Sequence, residues 1–291
     1  GVVRVTAPAG VDAELAADAL WRAGAVAIEE RAAPTGVVLV AGVAPGDDIE
    51  RLLGAVGGSW PAEAVAVDVD GALDAWRSFA RPVLVGERLL VRPPWLPAGP
   101  HNAEVDVVID PGRAFGSGAH ASTRLALAAL ERLVRGGERV LDAGCGSGVL
   151  GIAALALGAA DAVGVDHDPA AVVASGVNAA RNAVGDRFAV TGGPLDEVVA
   201  AHAPFDLVIA NLLLPDVLAL APALRAALAA AGSLVVSGIL VDQRTPVIGA
   251  ATPLGLVAVG EEIVDGWLAV TFVAAAAGQA RRCPQPAASS R

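Results

Sequence analysis

Lysine, methionine and tyrosine are absent from this chain, and only two cysteines and four histidines stand among its 291 residues. All twenty basic side chains are therefore arginine, a bias that reads as a GC-rich coding sequence rather than a function. Cys145 and Cys283 are isolated, which excludes a disulfide framework. His101, His120, His167 and His202 show no ligand spacing with one another or with the cysteines, so no metal site is expected. No apolar run reaches the ~18–20 residues of a spanning helix, and no basic-then-apolar leader opens the chain. A cytoplasmic, monomeric protein that enters no membrane is the expectation. A basic stripe is also missing. The formal charge is −11 and the arginines are scattered among acids, which argues against a nucleic acid as partner. An acidic surface attracts a basic protein, although solubility alone accounts for the same charge equally well. Hydrophobic residues are plentiful at 55%, enough for the cores of two domains.

The densest signal runs from Arg139 to Asp168, R-V-L-D-A-G-C-G-S-G-V-L-G followed by A-V-G-V-D-H-D. An apolar strand enters glycines at 144, 146 and 148, and a second strand ends at Asp166, roughly the twenty-residue spacing that a ribose-binding carboxylate needs. An adenosine-bearing cofactor is implied. Gly146 to Gly151 also spells G-x-G-x-x-G, but the tight turn should start directly after the strand, at Gly144, which makes the pattern G-x-G-x-G. Asp142, two residues earlier, would repel a pyrophosphate and attract the ammonium and sulfonium of S-adenosylmethionine. A methyltransferase is the reading this favours, and a nicotinamide dehydrogenase is its competitor.

The end of the chain bears on that choice. Leu256 to Ile263 and Trp267 to Val273 are apolar, β-branched runs joined through Val264-Asp265-Gly266, and Asp-Gly is a strong hairpin signal. Strands are expected at 138–143, 161–166, 187–191, 205–210 and 232–237, with helices at 148–157, 168–182 and 216–230. The fold class is α/β: a Rossmann-like, mainly parallel sheet of the S-adenosylmethionine-dependent methyltransferase type, closed by an antiparallel hairpin. Residues 1–70 read β-α-β-β-α-β, a small ferredoxin-like α+β domain with no residue suited to catalysis and a role in substrate recognition. Asp47 or Asp48 would cap its second helix. Residues 71–100, with prolines at 93, 94, 97 and 100, read as a stiff connector to a methyltransferase domain at 101–273. An Ala, Gln, Pro and Ser tail at 274–291 is expected to be disordered.

Two further stretches are candidates. The glycine-rich loop from Asp110 to Thr123 offers Phe115, to stack on adenine, to shield the methyl group or simply to pack, and Ser122 or Thr123 as helix cap, ligand contact or both. Asn211 closes the buried run F-D-L-V-I-A-N, beside the crevice where open α/β sheets bind ligands.

Four segments together resemble the methyltransferases of ribosomal protein L11, the PrmA family. They are D-P-G-R-A-F-G-S-G-A-H-A-S-T, V-L-D-A-G-C-G-S-G-V-L-G with G-V-D-H-D-P, D-L-V-I-A-N-L-L with S-G-I-L, and the run from Trp76 to Trp95. The resemblance implies cofactor contacts at Thr123, Gly144, Asp166 and Asn211, to which the loop logic adds Gly146, Phe115 and Asp142. It also implies that the Asn211 carbonyl faces the transferable methyl and holds the attacking amine, and that the first domain recognises ribosomal protein L11. This chain departs from the family's usual loop at Ser117, Ala119, Ala121 and Ser122, and after Asn211 at Leu214-Pro215. Those departures bear on the acceptor. A methyltransferase of another protein, a small molecule or RNA on the same fold is the alternative.

Overall fold

In the computed structural model, residues 2–8, 11–23, 25, 27–33, 36–42, 49–65, 80–99, 103–110 and 115–275 are described. The chain divides into two compact units, Gly1–Phe79 and Ala80–Arg291.

The first unit contains β1 (Val2–Ala7), α1 (Val11–Arg22), β2 (Ala27–Ala33), β3 (Gly36–Gly42), α2 (Ile49–Val56) and β4 (Ala62–Val65). Its sheet has the order β2-β3-β1-β4, and every neighbouring pair is antiparallel. Side chains alternate across a strand, so Val3, Val5 and Ala7 share one face of β1, where they meet Leu39 of β3, Leu20 of α1 and Leu52 and Val56 of α2. Arg4 takes the opposite face and reaches Glu63, its register partner on β4, at 2.9 Å. The expected caps at Asp47 and Asp48 lie outside the described residues, as does the chain between β4 and Ala80.

The second unit is built on a seven-stranded sheet of β8 (Arg139–Ala143), β9 (Asp161–Val165), β10 (Phe188–Thr191), β11 (Phe205–Asn211), β12 (Leu228–Leu240), β13 (Leu256–Val264) and β14 (Trp267–Ala274). The order is β10-β9-β8-β11-β12-β14-β13; the first four pairings are parallel and the last two antiparallel. Helices cover both faces, so the strands are apolar on both sides. On β8, Val140 joins one core with α3 (Ala121–Leu133), α4 (Val149–Leu157) and α5 (Pro169–Arg181), while Leu141 joins the other with α6 (Leu195–His202), α7 (Leu214–Ala227) and α8 (Arg244–Ala251). Ile209 and Val208 of β11 divide in the same way. The closing hairpin pairs Val264 with Trp267, which leaves Asp265 (φ 52°) and Gly266 (φ 79°) as its two turn residues, both left-handed as a type I′ turn requires. Arg132 of α3 and Arg244 of α8 pair with Glu262 and Glu261 of β13.

Several elements differ from expectation, among them α8, a helix not expected from the sequence. Residues 83–92 belong to the second unit: β5 (Val83–Val85) and β6 (Leu89–Arg92) form a three-stranded sheet with β7 (Val105–Val108), and Leu89 and Val91 are buried beside α3 and α4. Core burial of these side chains holds the segment more firmly than a connector. β12 begins at Leu228, inside the Ala-rich stretch expected to extend α7, because Leu228 pairs with Phe205 of β11 and tertiary pairing overrides alanine's helix preference. α6 was not expected, although Leu195, Val198 and Val199 keep the i, i+3, i+4 spacing of a helix face and join the second core. The tail from residue 276 lies outside the described residues.

Candidate active site

β8 hydrogen-bonds to β9 on one side and β11 on the other, so the connections after these strands run in opposite directions and leave a crevice at their carboxyl ends. A cavity of about 440 Å³ fills it, walled by Gly144, Gly146, Asp166, Asn211, Phe115 and Trp267 among others. An adjoining cavity of about 340 Å³ shares Gly144, Asp166 and Leu212 and extends to the loop at Gly193 to Asp196.

The turn begins directly after β8. Gly144 and Cys145 donate their N–H groups to Val165 O at 2.8 and 3.1 Å, which folds the loop over the end of β9. Gly144 sits at φ 73°, and a Cβ there would strike Leu212; a Cβ on Gly146 would lie 2.6 Å from Phe115 O. Only glycine fits these two places. Gly151 is needed for packing instead, since it lies in α4 against Phe188, where a Cβ would meet the ring at 2.6 Å.

Asp166 follows the last residue of β9. Its Oδ2 accepts from Gly146 N at 2.8 Å and its Oδ1 from Asp168 N at 3.0 Å, which holds the carboxylate against the cavity with a side chain only 11% exposed. Asp168 is the N-cap of α5, accepting from Ala170 N at 2.8 Å. Asp142 corrects the expectation of a cofactor contact. It is fully buried, accepts from Gly151 N at 2.9 Å through Oδ2, and has no hydrogen bond at Oδ1 among the described residues. Along β8 it shares parity with Val140, so it faces α4 beneath the glycine loop instead of the cavity. Burial, aided by the charge of Asp166, pushes its carboxyl up to about 7.

Asn211 closes β11 in register with Ser237 and lines the cavity. Its Nδ2 donates to Thr123 Oγ1 at 3.3 Å, whereas its Oδ1 is buried and lacks a partner among the described residues. Gly238 is needed beside it, since a Cβ there would lie 2.5 Å from Leu212 O and 3.0 Å from that Asn211 oxygen. Thr123 is fully buried and stands behind Asn211, not on the wall.

Phe115, 58% exposed, closes one side. Ser147 ties its loop to the glycine loop, donating from N to Phe115 O at 2.8 Å and from Oγ to Gly116 O at 2.6 Å. Asn178 of α5 donates to both Ser147 O and Asp110 O at 2.9 Å, and Asn182 one turn later pairs with both backbone groups of Val108. Two amides on one helix face thus bind β7 and the root of the Phe115 loop. Sequence reasoning missed these asparagines, and with them Trp267 and His120. The spacing of four between Asn178 in α5 and Asn182 at its C-cap was the available sign. The cap of α3 is His120, not Ser122 or Thr123. Among the described residues, no group of three or more His, Cys, Asp or Glu side chains is placed to hold a metal ion.

The family model for ribosomal protein L11 methyltransferase (PrmA) matches residues 65–275. A ribosomal protein L11 methyltransferase of Symbiobacterium thermophilum is 40% identical over 77% of this chain and 72% of its own. One of Pelotomaculum thermopropionicum is 37% identical over 84% of this chain and 82% of its own. Among solved structures, a ribosomal protein L11 methylase of Lactobacillus delbrueckii subsp. bulgaricus aligns with a TM-score of 0.61 at 26% identity, covering 67% of this chain and 98% of that one.

Proposed function

The chain belongs to the ribosomal protein L11 methyltransferase (PrmA) family, and from that premise we propose that it transfers methyl groups from S-adenosylmethionine to amines of ribosomal protein L11. Lysine ε-amines, the N-terminal α-amine or both are the acceptors, and the cytoplasm, where ribosomal proteins are made, is the compartment. No described helix is long and apolar enough to cross a membrane. The charge of −11 supports a basic protein over RNA as the acceptor.

The cavity walls suit that cofactor. A carboxylate offers about four lone-pair directions; Asp166 uses one on each oxygen for backbone N–H groups, which leaves one on each for a ribose diol. The bare backbone at Gly144 and Gly146 allows close approach by the cofactor's amino-acid end, and Phe115 covers it. When bound, S-adenosylmethionine supplies a methyl group on a cationic sulfur, open to in-line attack by a neutral amine.

The chain's part is alignment and dryness. Leu212, Leu213 and Trp267 present apolar wall beside Asn211, an environment that disfavours an ammonium and so promotes the uncharged amine. The observation that carries the reading is the place of Asn211 on the cavity wall at the end of β11, with its Oδ1 lacking a donor among the described residues. Holding an attacking group in this way is worth up to ~7–11 kcal/mol at its ceiling.

Radiolabelled methyl transfer to purified ribosomal protein L11, with calorimetric binding of S-adenosylhomocysteine and of NADH, tests the function. Incorporation together with binding of the first ligand alone is expected. Asn211→Ala should lower kcat at least a hundredfold while changing S-adenosylhomocysteine affinity only a few-fold. Normal turnover per folded molecule would remove Asn211 from the reaction.

A further inference from the structure

His120 caps α3 from an extended backbone, φ −64° and ψ 141°, and its side chain accepts from Ser122 N. A backbone N–H can only donate, so the 3.3 Å contact from Ser122 N favours Nδ1 as a lone-pair acceptor. The Ser122 hydroxyl, 2.8 Å from the same nitrogen, is then a second donor to it. The tautomer follows: a neutral ring with its lone pair on Nδ1 carries its proton on Nε2. Burial acts in the same direction by holding the pKa of His120 below the ordinary histidine value.

The ring is also fixed in orientation. It meets Trp267 edge to face with centroids 4.7 Å apart and Phe115 at 5.5 Å, at interplanar angles of 72° and 68°. All three rings line the 440 Å³ cavity. Among the described residues no acceptor meets Nε2–H. The cavity wall therefore carries one polar hydrogen in a row of aromatic surface, presented by a side chain that is braced on both sides.

We propose that His120 is a binding residue of this cavity, a neutral Nε2–H donor to a ligand oxygen, and not the base that removes the amine proton. Two sources supply such an oxygen, the carboxylate of the bound S-adenosylmethionine or a backbone carbonyl of the acceptor protein. The proposal rests on the methyl-transfer reading above. Proton uptake by this ring is disfavoured for a structural reason: Nε2 already holds a proton, and protonating Nδ1 would remove the cap of α3.

Two substitutions separate the roles. His120→Ser keeps a good N-cap but is too short to present a donor to the ligand, and His120→Gln keeps an N–H donor on a side chain that does not titrate. Thermal melts, calorimetric Kd for S-adenosylhomocysteine, and kcat and KM for ribosomal protein L11 are measured on both. His120→Ser should weaken one ligand at least tenfold: a raised Kd identifies the cofactor carboxylate, and a raised KM at unchanged Kd identifies the peptide carbonyl. His120→Gln should recover most of that loss, with the wild-type shape of the pH–rate profile. Unchanged Kd and KM in His120→Ser would reduce His120 to a cap and overturn the proposal. So would a His120→Gln enzyme as slow as His120→Ser whose acid limb has vanished, the signature of a base. Failure of the wild-type protein to bind S-adenosylhomocysteine would instead defeat the methyl-transfer reading itself.

Discussion

Asp166 and Asp168 stand two residues apart and do different work. Asp166→Ala should weaken S-adenosylmethionine at least tenfold, since two charge-assisted hydrogen bonds of ~1.5–3 kcal/mol each are lost to the ligand. Asp168→Ala removes the cap on Ala170 N and should cost about 1 kcal/mol of stability with affinity nearly unchanged. Calorimetry and melts on the pair check this, and equal affinities would sink the assignment. Asp142 makes a pH prediction. Its carboxyl titrates near 7 in the fold against 3.8 as the ordinary value, so between those limits the folded state binds the extra proton and stability falls as pH rises. The penalty starts above the unfolded pKa and is complete above about 7, on the order of a few kcal/mol. Melts at pH 5 and pH 8 should show a larger drop for wild type than for Asp142→Asn, which carries no charge; parallel drops would show that Asp142 stays ionised. The places of Asp166, Gly144 and Asn211 on the cavity wall were legible because loop chemistry has a spacing. The inward turn of Asp142 was legible only in principle: parity with Val140 specifies its face, but the sequence does not say which face α4 covers. His120 was hidden because a histidine cap is far less common than the serine and threonine beside it.

The elements were easier to read than their edges. The hairpin at Asp265-Gly266 and the alternation from β8 to β11 were visible because apolar runs bounded by glycine, proline and aspartate have few alternatives. Ala-rich Leu224 to Ala231 had two, and only pairing with Phe205 chose strand from Leu228 onward. Two glycines with positive φ test how far local conformation and site chemistry separate. A Cβ placed on Gly266 would meet nothing within 4 Å, so Gly266→Ala should cost only the left-handed backbone penalty of roughly 1–2 kcal/mol, with cofactor affinity intact. Gly146→Ala adds a collision with Phe115 O and displaces the amide that holds Asp166, so affinity should fall more than tenfold. Similar melting temperatures and similar affinities for the two variants would contradict the division of labour between hairpin and loop.

At the scale of the whole molecule, the described residues of the first unit form a sheet and two helices, and the expectation from the family resemblance that this unit recognises the protein substrate has a direct measurement. Hydrogen exchange with and without ribosomal protein L11 should show new protection in β1 to β4 of the first unit as well as around the cavity. Protection confined to the second unit would assign recognition there. The boundary was the least legible part of the chain, because Leu89 and Val91 reveal themselves as core only when α3 and α4 are in place. An open sheet has to stop, and that of the second unit stops at β13, where Val257, Val259 and Ile263 are exposed on a strand paired along one side only. Such a margin invites another strand to add and so begins aggregation. Glu261 and Glu262, each bound to an arginine from a helix, place charge in the middle of it. The antiparallel end that marks the fold therefore also needs guarding, and these two ion pairs act as its gatekeepers against self-association, a protection that weakens as salt screens them.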